Sequence, residues 1–446
     1  MRLIPQFVYK RIEHRPNLVK IVDNVGWLFF DKFLRMGVGL FVGVWIARYL
    51  GPEQFGLLNF ALAFAGLFGA VATLGLRGIV VRDIVRDPDS ARLTLGTAAL
   101  LQLLGGLFSF LLILGAIAYL RPDDPFARSI VAILGAMMLF KVGEVAEYWF
   151  ESQVQSKYTV WVKNSVFLVF AGIKVVLILQ QAPLAAFVWA MLAEAAIAAV
   201  ILLIVMGLRG PSLARLQASF QRGKSLLQDS WPLILSAVAV TVYMKIDQIM
   251  LGQMVNDEAV GIYSAAVKIS EVWYFIPVAI VASVFPSLLE TKKTSESMYY
   301  ARVQKLYDLM TFIALCVALP MTVLSKPMIE LLYGMEYVAS GAVLAIHVWG
   351  GLFVAMGAAR GKWLIAEGLQ YMTYWYVGMG MVVNIVGNYL LIPSYGVIGA
   401  ALVTLFSQAV VAIAAPALYS KTRISTKMLL MSLHPWKWYQ LVKNGI

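Results

Sequence analysis

Twelve ionisable side chains lie inside stretches that are otherwise apolar: Lys32, Arg35, Lys141, Lys174, Lys245 and Lys268, and Asp31, Glu144, Glu147, Glu194, Asp247 and Glu271. In hydrocarbon each costs about 2.5–3.5 kcal/mol, so twelve left alone would cost roughly 30 kcal/mol or more. That exceeds the about 5–15 kcal/mol by which folds are ordinarily stable. The chain must pair or hydrate them. Asp31 and Arg35 stand four residues apart and share a helix face, while Lys141 with Glu144 and Lys268 with Glu271 stand three apart. Lys245 and Asp247 are two apart, point in different directions, and need partners elsewhere. The chemistry on offer is electrostatic, because little else is present. Cys316 is the only cysteine, and His14, His347 and His434 are scattered. A thiolate metal cluster is excluded and a histidine-centred site is not expected. No phosphate-binding loop for ATP is found, so no cofactor is implied.

The elements that must carry these charges are membrane helices. Of the 446 residues, 61% are hydrophobic and only 13% charged, about half the charge of a soluble domain. Twelve apolar stretches are long enough to span. The first six are Val25–Leu50, Gly56–Leu76, Leu93–Leu120, Ser129–Phe150, Thr159–Leu179 and Leu184–Leu208. The second six are Trp231–Met254, Ala259–Leu288, Leu306–Leu324, Ser340–Ile365, Tyr371–Ile392 and Val397–Leu418. The N-terminus MRLIPQFVYKRIEHRPNLVK is basic and amphipathic and does not read as a cleaved signal peptide. Pro277 and Pro320 fall inside the eighth and ninth stretches, where each predicts a kink.

Basic residues orient the spans. Assigning Lys157 and Lys163 to the fourth connection, and Arg360 and Lys362 to the tenth, puts 26 of the 36 on the two terminal arms and the even-numbered connections. The odd-numbered connections hold four, Arg48, Arg121, Arg128 and Lys326. By the positive-inside rule both termini are cytoplasmic and the number of spans is even. The net charge of +12 is then topology charge facing anionic headgroups rather than a nucleic-acid footprint.

The connection RGPSLARLQASFQRGKSLLQDSWP divides the chain. A lobe over residues 1–208, a cytoplasmic amphipathic linker over 209–230, a second lobe over 231–420 and a cytoplasmic tail over 421–446 are expected. The halves echo one another. Leu50-Gly51-Pro52-Glu53 leads to Gly56 and a small-residue helix, and Leu251-Gly252 leads through Asp257-Glu258 to Gly261 and another. Two six-helix repeats entering from the same side are related by an axis along the membrane normal. The predicted fold is an all-α integral membrane protein with twelve spans in two pseudo-symmetric lobes around a central cavity.

ARYLGPEQFGLLNFALAF at Ala47–Phe64, KIDQIMLGQMVNDEAVGIYSAAVKI at Lys245–Ile269 and NYLLIPSYGVIGAALVT at Asn388–Thr404 resemble the span junctions of the polysaccharide-synthesis branch of the multidrug/oligosaccharidyl-lipid/polysaccharide exporter superfamily. The resemblance runs over nearly the whole chain. It implies a flippase, not an enzyme, in the cell membrane. The implied substrate is a sugar repeat unit on a polyprenyl diphosphate, used in O-antigen, capsule or exopolysaccharide synthesis. Membrane lipids are implied partners, together with a polysaccharide polymerase and other assembly proteins, and nucleic acid is not. Such a headgroup needs compensating positive charge in a hydrated cavity. Arg35, Lys141, Lys174, Lys245 and Lys268 are the candidates to supply it, with Asp31, Glu144, Glu194, Asp247 and Glu271 as charge partners or ion-coupling groups.

Three rivals remain. A membrane-bound polymerase or glycosyltransferase would need a large extracytoplasmic loop bearing catalytic groups, and the odd-numbered connections are short. A cation-coupled drug antiporter of the same superfamily would favour a first-span carboxylate without basic neighbours, whereas Asp31 has Lys32 and Arg35. A peptidoglycan-precursor flippase commonly carries two further spans.

Overall fold

The computed structural model describes residues 16–438. Arg2, Lys10, Arg11, Arg15, Lys443 and His14 lie outside the described residues. The described residues are overwhelmingly helical, with no strand among them, as hydrocarbon requires of a chain that must satisfy its own backbone polar groups.

Among the described residues ten helices are long and apolar enough to cross a membrane. They are α1 Val22–Leu67, α2 Pro88–Leu120, α3 Pro125–Ser152, α4 Lys157–Leu179, α5 Leu184–Arg209, α6 Phe220–Met254, α7 Asp257–Thr294, α8 Glu296–Tyr333, α9 Ser340–Ala366 and α10 Met372–Leu418. The chain is a multi-pass membrane protein. Large apolar side chains such as Phe41, Leu208, Val323 and Leu331 are exposed on these helices, as expected where the solvent is lipid.

α1 and α10 are 46 and 47 residues long, and each contains one residue with non-helical backbone. Gly51 (φ 71°, ψ 172°) breaks α1 and Gly396 (φ 52°, ψ −131°) breaks α10. Both conformations favour glycine, because a Cβ would be strained at positive φ. The chain therefore changes direction at single glycines where the hydropathy pattern suggested short loops. Two basic residues assigned to the tenth connection, Arg360 and Lys362, are helical residues of α9, and Lys163 belongs to α4. Pro277 also departs from expectation. It is the third residue of the helical segment Phe275–Thr294, where a missing N–H costs no helix bond. The break in α7 lies at residues 272–274, just before it. Pro320 is interior to its helix, as are Pro286 and Pro327.

Two compact units divide the chain, Met1–Leu50 with Ala61–Thr241 and Gly51–Phe60 with Val242–Ile446. In the first unit α2 and α3 pack closely, and Gly106 admits the backbone of Met138, which a Cβ there would strike. The short helix Leu76–Arg86 buries Leu76, Val80 and Ile84 against Leu95, Val145 and Leu226. In the second unit Tyr299, Tyr307, Met310, Met356, Trp363 and Leu429 form the main core. The two junctions that echo one another in the sequence meet in this unit. A Cβ on Gly56 would collide with the carbonyl oxygen of Asp257, and one on Gly261 with that of Pro52. The two stretches read from sequence as counterparts thus cross backbone against backbone, and both glycines are needed for the approach.

Candidate functional site

In the first unit the membrane-embedded charges other than Lys32 are paired. Asp31 and Arg35 realise their four-residue spacing, with Nε to Oδ1 at 2.8 Å. The guanidinium also lies over the Phe167 ring, 5.1 Å from its centroid, and both side chains remain partly exposed. Lys32 beside them is exposed.

Lys141 sits on a 3-10 segment, Ala136–Gly143, inside α3. Residues three apart eclipse in that geometry, which sets Lys141 Nζ 2.8 Å from Glu144 Oε1. Gly143 brings this segment against α5, since a Cβ there would stand 2.7 Å from Ala199. One turn on, Glu147 takes a second ion pair, 2.8 Å from Lys163 of α4. Tyr148 Oη donates to Glu144 at 3.4 Å and accepts from Gln102 Nε2 at 2.7 Å. Lys141, Glu144, Glu147 and Lys163 all line a cavity of about 330 Å³, whose remaining wall is apolar, including Met138 and Leu202. Lys163 was missed by sequence reasoning because it was placed in a loop.

Lys174 joins Glu194 at 2.7 Å between α4 and α5. Its side chain is 10% exposed, so this pair is a closed contact between helices.

The second unit handles charge differently. Asp247 is buried, yet no cation reaches it at ion-pair distance among the described residues. It is held by neutral donors: Tyr263 Oη at 2.8 Å, Thr404 Oγ1 at 2.6 Å and Asn388 Nδ2 at 2.6 Å. Asn388 also donates to Asn384 at 3.1 Å, and its own Oδ1 is buried without a partner. His347, buried nearby, shares a hydrogen bond with Ser270 at 2.9 Å and meets the Tyr263 ring edge-on.

Lys245 and Lys268 form the other group. Lys245 lies on α6, and Lys268 and Glu271 lie on α7. The predicted pairing of Lys268 with Glu271 does not form among the described residues. Instead Lys268 Nζ lies over the Phe55 ring, 4.3 Å from its centroid. Glu271 is the last residue of its helical segment, Asp257–Glu271. Neither Lys245 nor Lys268 has a carboxylate at ion-pair distance among the described residues.

Arg360 is a buried cation that sequence reasoning placed outside the membrane. It donates to the Ala412 carbonyl and, at 3.4 Å, to Ser425 Oγ, while its second terminal nitrogen is buried without a partner. Ala412 belongs to a π-helical turn, Val410–Ala414. The run of small residues Gly357-Ala358-Ala359 before Arg360 was the available signal that the helix continues through it.

A multi-pass helical membrane protein with ionisable groups embedded at depth, some paired and some not, has the features of a membrane transporter. The chain matches the family described as polysaccharide biosynthesis protein over residues 21–292. It belongs to that family. A relative from Haloferax volcanii, named a "probable low-salt glycan biosynthesis flippase", is 23% identical over 400 residues, covering 84% of this chain and 78% of its own. One from Shigella flexneri, named "Putative O-antigen transporter", is 23% identical over 399 residues, covering 86% and 94%. Among solved structures, an inward-facing multidrug resistance transporter of the MATE family superposes with a TM-score of 0.69 at 15% identity, covering 90% of this chain and 96% of its own. The lipid II flippase MurJ in an inward closed conformation gives 0.68 at 14% identity, covering 95% and 93%. At such identities the likeness is one of fold.

Proposed function

We propose that this protein flips a polyprenyl-diphosphate-linked oligosaccharide repeat unit across the cell membrane by alternating access, during synthesis of an O-antigen, capsule or exopolysaccharide. Family membership and the names of the two full-length relatives support this reading. The observation that carries it for this chain is the pair Lys245 and Lys268, two cations in a membrane-spanning unit with no carboxylate at ion-pair distance among the described residues. A diphosphate supplies the charge they lack, and lysine serves such a group as a mobile point charge. Arg35 and Lys141 are proposed as secondary contacts, each offset by its own carboxylate. Lys174 would have to leave Glu194 to take part.

Twelve spans in two six-helix lobes around a central cavity remain the proposed architecture. A 46-residue helix is about 69 Å long at about 1.5 Å per residue, while the hydrocarbon core is about 30 Å thick. α1 and α10 are therefore each counted as two spans meeting at Gly51 and at Gly396. The charge split over the connections supports cytoplasmic termini, although Lys163, Arg360 and Lys362 no longer count toward it. Asp247, held by neutral donors, is the proposed cation-coupling carboxylate. The wider partners proposed are membrane lipids and, in the cell, a polymerase and other assembly proteins.

The test is reconstitution into vesicles with a fluorescent polyprenyl-diphosphate sugar and, in parallel, a polyprenyl sugar lacking the diphosphate and a cationic drug. Transport of the diphosphate lipid alone is expected. Transport of the drug in preference would make the protein a drug antiporter.

A further inference from the structure

The first unit carries a groove that none of this chemistry uses. It measures about 610 Å³ and runs between α2 and the first turns of α6. Leu100, Leu101 and Leu104 form one wall, and Leu227 and Trp231 the other. Its end is built rather than incidental. Gly96 lets the backbone of Gln217 touch α2, Gln217 N donates to the Arg92 carbonyl at 3.4 Å, and Ser219 N donates to Thr97 Oγ1 at 3.2 Å. The connection before α6 is thereby tied to α2, and α6 starts at a fixed distance from it. Gly223 forms part of the floor, where a Cβ would meet Thr97 and Leu101 at ordinary contact distances of 3.5 Å or more.

Charge at the groove is one-signed. Lys224 lines it and no acidic residue does. The neighbouring arginines are already committed, Arg222 to Asp83 and Thr94 and Arg82 to Asp83 and Asp229. Lys224 is exposed and makes no ion pair among the described residues.

We propose that this groove holds one acyl chain of an anionic phospholipid, with Lys224 on its phosphate. A methylene group takes up about as much room as a water molecule, about 30 Å³. The groove thus has room for roughly twenty such groups, which suits one fatty-acyl chain and is far too small for a whole polyprenyl chain. On the proposed orientation the lipid belongs to the cytoplasmic leaflet, where anionic lipids attract basic residues. The site is distinct from the Lys245–Lys268 group and does not depend on what the protein transports.

Native mass spectrometry tests it on the full-length protein. The protein is equilibrated with vesicles of equimolar phosphatidylglycerol and phosphatidylcholine, and retained lipids are counted. Wild type is expected to retain one phosphatidylglycerol in preference by about fivefold. Lys224→Gln should remove the preference, and Gly223→Leu, which fills the floor, should remove the retained lipid. Equal retention of both lipids by wild type, or wild-type preference in both variants, overturns the proposal. So does displacement of the phosphatidylglycerol by an added polyprenyl phosphate, which would make the occupant the carrier lipid.

Discussion

The two units solve the problem of charge in a membrane in opposite ways. In the first, Arg35, Lys141, Lys163 and Lys174 each face a carboxylate at 2.7 or 2.8 Å. In the second, the charges named from sequence make no ion pair among the described residues: Asp247 is held by a tyrosine, a threonine and an asparagine, and Lys245, Lys268 and Glu271 stand without an opposite charge at ion-pair distance. A paired charge is electrostatically spent, and moving it costs the pair. An unpaired one keeps its field for something that arrives. On the proposed function the second unit is therefore where an anionic headgroup would gain most, and the first is where charge most directly stabilises the fold.

Substitutions can break this contrast at several places. The largest effect on stability is expected at Lys174. Lys174→Gln leaves Glu194 without its cation between α4 and α5 and should cost about 3–5 kcal/mol, read as a loss of thermal stability of the purified protein. Glu194→Gln in the same chain should restore most of it, since neither charge is then stranded. Next comes the glycine crossing of the second unit. Gly261→Ala should cost about 1–3 kcal/mol through overpacking against Pro52, measured the same way. The mildest change is at the partly exposed Asp31–Arg35 pair, where Asp31→Asn should alter stability by no more than about 1 kcal/mol.

Asp247→Asn sharpens the contrast in another way. The amide keeps the shape of the carboxylate but cannot carry its charge. If Asp247 couples transport to a cation, the variant should transport at a rate that no longer responds to an imposed ion or proton gradient, although the protein still inserts and purifies. A variant that keeps the full gradient response removes Asp247 from the coupling role.

Much of this was legible in the residues. Apolar stretches located the membrane helices, and the four-residue and three-residue spacings in α1 and α3 foretold the pairs Asp31–Arg35 and Lys141–Glu144. The Gly56 and Gly261 junctions, which the sequence presents as a weak repeat, are the two stretches that cross backbone against backbone. What escaped was decided by tertiary context. Lys268 and Glu271 have the right spacing, but the side chain of Lys268 turns to the Phe55 ring, which is distant in sequence. The pairing of Lys174 with Glu194 needs the antiparallel packing of α4 on α5, which no local pattern encodes. Lys163 and Arg360 are counted with the connections in the charge tally, although the apolar stretches Thr159–Leu179 and Ser340–Ile365 run through them. The structure carries α4 and α9 through them, Lys163 meeting Glu147 and Arg360 meeting the Ala412 carbonyl of a π-helical turn.

The central claim is that Lys245 and Lys268 hold their charge in reserve for a diphosphate. It is tested most directly by initial rates of polyprenyl-diphosphate sugar flipping in proteoliposomes, at matched protein density, for two double variants. Lys245→Gln with Lys268→Gln should slow flipping about 100-fold or more, the loss of two charge-assisted contacts, whereas Asp31→Asn with Arg35→Gln should slow it no more than a few-fold. Equal losses in the two, or a larger loss in the second, would contradict the account.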